Sequence, residues 1–140
     1  MHFGRVSFSG VAVAEKALAE LRDISTQVRA AVLFDAAGSV QGSTLPTERA
    51  ERLVSAARLL LDQAEVVRGD DEAKLTQLEA ATPDGSVFVV REGDQIVAAT
   101  TGPAPTAGLV FYDLRAALRA SAEKPKRRRT PAKKKADGSS

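Results

Sequence analysis

The chain has 140 residues, enough for one domain with an appendage, and contains no cysteine, which excludes disulfides, thiolate metal sites and cysteine nucleophiles. Its single histidine is His2, so histidine triads and two-histidine metal sites are excluded as well. The formal charge of +2 conceals a division: residues 123–140 hold eight Lys/Arg against two acids, and subtracting these from the totals of 20 and 18 leaves 12 basic and 16 acidic residues in 1–122.

Residues 1–9 are expected to form a flexible N-terminus. They carry no apolar run of the signal-peptide kind, and no segment approaches about 18 consecutive apolar residues, so a soluble, cytoplasmic protein is expected. Ser9 suits the cap of a first helix over Gly10 to Arg22, in which Val11, Ala14, Leu18 and Leu21 form a narrow apolar stripe. Val28 to Asp35 (VRAAVLFD) is an almost unbroken apolar run of strand length. After Ala36-Ala37-Gly38-Ser39 the chain returns over Val40 to Thr44, which makes a hairpin. Unbroken apolarity predicts a strand covered on both faces, so helices must lie on both sides of the sheet.

Thr47 to Arg68 is the most informative stretch. Ala50, Leu53, Val54, Ala57, Leu60, Leu61, Ala64 and Val67 step by three and four and predict one core-facing side of a long helix. Leu59 and Val66 fall outside that stripe, seven residues apart, with Arg52, Ala56 and Gln63 beside them. A surface helix that buries one face is polar there, so this helix has more apolar surface than its own fold needs. Pro46 suits a first-turn position, Thr47 a cap, Glu48 and Glu51 the positive helix end, and Arg68-Gly69 a stop.

Beyond it, Ala73 to Ala81 alternates weakly and reads as an edge strand. Pro83-Asp84-Gly85 is a turn, Ser86 to Arg91 a central strand, Glu92-Gly93-Asp94 a tight turn, and Gln95 to Thr101 its partner. Thr106 caps a last helix over Ala107 to Ala122. Its stripe is Val110, Phe111, Leu114, Ala117 and Leu118, with Tyr112, Arg115 and Arg119 facing elsewhere. The order is α β β α β β β α, with no repeat and no long crossover between paired strands, which favours an antiparallel sheet sandwiched by helices. The domain is expected to span residues 10–122.

Chemistry-bearing motifs are few. Gly38 to Thr44 (GSVQGST) lacks the spacing and the lysine of a phosphate loop and is read as a hairpin turn. Gly69-Asp70-Asp71-Glu72 lacks the alternating ligands of a calcium loop and is read as a solvated acidic turn. Arg52, Arg91, Arg115 and Arg119 are candidates to neutralise a transferring phosphoryl group, with a solvated helix face the expected place of Arg115 and Arg119. No catalytic residue, metal ligand, cofactor or small-molecule substrate is expected. Residues 123–140 are expected to be a disordered basic tail, since Pro125 and Pro131 and the lack of bulky apolar residues disfavour an amphipathic helix. Lys124, Lys126, Arg127, Arg128, Arg129, Lys133, Lys134 and Lys135 either attract polyanions, meaning nonspecific nucleic acid or an anionic membrane, or stay solvated with no defined role.

The element order, with VLFDAAGSVQGST in the first hairpin, DGSVFVVREGDQIVAATTG in the later strands and AGLVFYDLRAALR in the last helix, resembles the roadblock (dynein light chain) family, and most closely its stand-alone bacterial members. The likeness covers about Val11 to Ala122 and includes Asp35 and Gly38 of the first turn. It implies an α+β fold, a roadblock/profilin-like three-layer sandwich: a five-stranded antiparallel sheet with the long second helix on one face and the first and last helices on the other. It also implies a homodimer, in which the long helices pair and the third strands join edge to edge. Such relatives commonly act on small Ras-like GTPases without a catalytic centre of their own, and some are plain scaffolds. The resemblance therefore implies a noncatalytic regulator or scaffold, with Arg52, Ala56, Leu59, Gln63 and Val66 at the dimer or GTPase surface, undivided between the two. The alternative is an adaptor recruited to nucleic acid or membrane by its tail, whose body only dimerises.

Overall fold

The computed structural model of the chain describes residues 8–68 and 76–127. Among the described residues eight elements follow one another: α1 (Phe8–Ile24), β1 (Val28–Asp35), β2 (Val40–Ser43), α2 (Thr47–Arg68), β3 (Gln77–Thr82), β4 (Gly85–Glu92), β5 (Gln95–Thr101) and α3 (Ala107–Arg127). This is the expected α β β α β β β α order. The strands form one antiparallel sheet in the order β2-β1-β5-β4-β3.

β1 lies inside the sheet and its apolar run is buried on both sides, as its composition required. Val28, Ala31 and Leu33 join one core layer with Phe88, Val90, Val97 and Ala99, under Leu18 and Leu21 of α1 and Val110, Leu114 and Leu118 of α3. Val32 and Phe34 point the other way, with Val89, Ile96 and Ala98, and pack against Ala50, Leu53, Val54, Ala57 and Leu61 of α2. The period-two alternation of each strand thus supplies two cores separated by one sheet. Phe88 and Phe111 meet edge to face at 5.0 Å between ring centres, tying β4 to α3.

The sheet order explains the length of α2. β2 and β3 occupy opposite edges, so the connection between them must cross four interstrand spacings, about 19 Å. A helix of 22 residues, about 33 Å long, crosses and overhangs.

Turn chemistry fixes the hairpins. Asp35 Oδ1 accepts the N–H groups of Ala37 (3.0 Å) and Ser39 (2.9 Å), while Gly38 takes a φ of 93° that side chains beyond glycine rarely adopt. GSVQGST is accordingly the end of this turn followed by β2.

Several boundaries differ from expectation. Thr47 is the first helical residue rather than the cap: the carbonyl of Pro46 accepts the Ala50 N–H at 2.9 Å, which puts Pro46 at the cap. Thr106 does cap α3, its carbonyl accepting from Leu109 and Val110. α1 begins at Phe8 and ends at Ile24, and β3 runs Gln77–Thr82. α3 continues through Pro125 to Arg127, beyond the expected end at Ala122, so the first basic residues of the tail, Lys124, Lys126 and Arg127, extend the helix. A proline this near a helix end costs one backbone bond and leaves two residues after it. Arg128, Arg129, Lys133, Lys134, Lys135 and the acidic stretch Gly69 to Glu72 lie outside the described residues. Among the described residues no helix is long and apolar enough to cross a membrane.

Candidate interaction surface

α2 presents two faces. The inner one follows the sequence stripe at Ala50, Leu53, Val54, Ala57 and Leu61, all buried, with Leu60 and Ala64 half-buried. Val67, expected on this stripe, is 85% exposed. Its wheel position lies at the margin of the stripe.

The outer face carries Leu59, 60% exposed, and Val66, 72% exposed. A seven-residue step turns the helix by roughly 20° short of two full turns, so the two side chains share one line along the outside. Arg52, Ala56 and Gln63 are all exposed and lie close to that line. The structure therefore brings Arg52, Ala56, Leu59, Gln63 and Val66 together on one helix face, and adds Val67 to its C-terminal end. The flank toward the β1–β2 turn is charged instead: the Arg58 guanidinium covers Gly38, and Glu65 receives the Arg91 guanidinium at 2.8 Å. That ion pair is partly shielded, with side-chain exposures of 35% and 19%, and it fastens the last turns of α2 to β4.

The candidate arginines are engaged within the fold. Arg52 lies 3.4 Å from Glu48 one turn earlier, in a solvent-exposed pair. Arg119 reaches Glu92 at 3.1 Å from the surface of α3. Arg115 is half-buried and donates to Gln77 of β3, so its expected place on a solvated face is corrected: the edge strand lies beside α3 and supplies an acceptor.

β3 is the second open feature. Among the described residues it bonds β4 on one side and no strand on the other. Leu78 is half-buried on the α2 side against the lower core, and Gln77 and Glu79 lie on the opposite face, where Ser86 Oγ donates to Glu79 at 3.0 Å. Further large apolar side chains, Ile24, Leu109 and Tyr112, are exposed on the α1/α3 side. Sequence reasoning did not single out Ile24 or Leu109, and only the end of α1 and the first turn of α3 leave them uncovered.

No protein-family model matches the sequence, and a comparison with curated protein sequences finds no match either. Solved structures do match. A Roadblock/LC7 domain from Streptomyces avermitilis superposes with a TM-score of 0.69 at 17% identity, over 76% of this chain and 92% of that one. MglB from Myxococcus xanthus gives a TM-score of 0.59 at 14% identity, over 86% and 89%. A further MglB structure, described as a tetrameric arrangement, gives 0.58 at 17% identity, over 86% and 91%. With its five-stranded antiparallel sheet between one helix and two, the chain has the roadblock/LC7 fold.

Proposed function

We propose that the chain is a noncatalytic homodimeric regulator or scaffold that binds a small Ras-like GTPase and modulates its nucleotide cycle or its localisation. The observation that carries this reading is the uncovered apolar line on α2, Leu59 and Val66, running toward an open strand edge. Apolar surface of this kind on a helix that already buries one face calls for a protein partner. A two-fold contact covers the helix face and the strand edge of both copies at once. The structural likeness to MglB, including an arrangement described as tetrameric, supports self-association. The GTPase enters through the resemblance, in whose bacterial members paired long helices form the docking platform.

The test uses the Ras-like GTPases of the source genome, each immobilised with a nonhydrolysable GTP analogue. The full-length chain is expected to be retained, a variant lacking residues 128–140 to be retained equally, and Leu59→Glu to be lost. Loss on removal of the tail with Leu59→Glu still bound would overturn the platform and favour recruitment by the tail.

A further inference from the structure

We infer that the polar cavity at one end of the sheet, between the α1–β1 and β5–α3 connections, binds a small oxyanion of the phosphoryl class, with Arg29 supplying the charge. The inference stands apart from the dimeric reading above, since its residues come from one chain and none lies on α2 or β3.

The cavity has a volume of about 210 Å³ and is lined by residues 26, 27 and 29 on one side and residues 101–105 on the other. Arg29 reaches it through an irregularity in the sheet. Val28 faces Thr101 and Ala30 faces Thr100, so two steps along β1 match one along β5 and Arg29 is the extra residue of a bulge. A bulge re-aims the side chain it inserts, and Arg29 is exposed between the buried Val28 and Ala30. Its guanidinium rests on Gly102: a Cβ built there would stand 2.6 Å from a terminal nitrogen and 3.0 Å from the guanidinium carbon. Among the described residues no carboxylate pairs with Arg29, whereas Arg52, Arg91 and Arg119 each have one.

The neighbouring side chains are donors as well. Gln27 Oε1 accepts the Thr106 N–H at 2.7 Å, which leaves the amide N–H₂ of Gln27 with two protons to donate. Thr26 adds a hydroxyl, and no residue lining the cavity carries a carboxylate. On the far wall the Thr101 hydroxyl donates to the Gly102 carbonyl at 2.8 Å, which occupies that acceptor. Ala104, between two prolines, holds a φ of 54°, a left-handed backbone that an alanine adopts only under constraint from its surroundings. One cation, several donors and no acid match an anion. A guanidinium presents paired N–H groups to two oxygens, and a phosphoryl group has a third oxygen left for Gln27 or Thr26, which a carboxylate lacks.

The test follows the amide resonances of the full-length chain by NMR while sodium phosphate replaces sodium chloride at constant ionic strength, up to about 50 mM. Saturable shifts are expected at Gln27, Arg29, Gly102 and Ala104, with a dissociation constant of about 1–10 mM. Glycerol phosphate in a parallel titration separates the sources: tighter binding assigns the site to the phosphoryl head of a larger molecule, and equal or weaker binding to the free ion. Acetate binding as tightly as phosphate overturns the phosphoryl class. Arg29→Gln, at an exposed position, is expected to raise the dissociation constant at least tenfold. Gly102→Ala keeps the charge but displaces the guanidinium; the atoms in its way are the tip of a flexible side chain, so the chain still folds, and a similar loss is expected. Retained affinity in either variant overturns the site. Shifts that do not saturate at the cavity, or that are confined to residues 128–140, overturn it as well.

Discussion

A single glycine shows how closely the strands approach. A Cβ built on Gly85 would stand 2.2 Å from the carbonyl oxygen of Thr101, a backbone atom that cannot step aside. Gly85→Ala is expected to cost about 3 kcal/mol, read as a lower urea midpoint with an unchanged slope. The sequence marked Gly85 as a turn residue after Pro83-Asp84, which is correct for the chain path, but it contained nothing about the neighbour across the sheet. The same division holds elsewhere. Asp35 and Gly38 announced their turn because the chemistry is local, within four residues. Glu65 and Arg91, 26 residues apart, announced nothing, since an ion pair between a helix and a strand depends on how α2 crosses the sheet. Residue type alone favours Thr47 as the cap, whereas the carbonyl of Pro46 holds that position.

Among the elements, α2 separates folding from association most cleanly. Leu53 is buried against the sheet and Leu59, six residues on, is exposed. Leu53→Ala is expected to lower unfolding stability by about 2–4 kcal/mol. Leu59→Glu is expected to leave the stability of the isolated chain within about 0.5 kcal/mol while abolishing self-association, so that chemical denaturation and sedimentation move independently for the two variants. The period of the helix made both faces legible in the sequence, because 3.6 residues per turn assigns each side chain a direction without knowledge of the fold. Val67 escaped that logic. Periodicity gives a direction but not where the neighbouring layer ends, and α2 is longer than the sheet is wide. β3 was legible as an edge strand from its weak alternation.

For the whole molecule, the charge division places an acidic body beside a basic C-terminal stretch, and the uncovered surfaces of α2 and β3 belong to the body. Deleting residues 128–140 is therefore expected to leave both the oligomeric mass and GTPase retention unchanged, while weakening any salt-sensitive binding to DNA. The proposed dimer would also couple stability to concentration: the melting temperature is expected to rise as the chain is concentrated from 1 to about 100 μM, and to be flat for Leu59→Glu. On the proposed function, the second apolar face of α2 meets another copy. Light scattering of the full-length chain after size-exclusion chromatography measures this most directly. Twice the 14.7 kDa chain mass is expected at micromolar concentration for the native sequence, and a single chain mass for Leu59→Glu. A single-chain mass for the native sequence would contradict it.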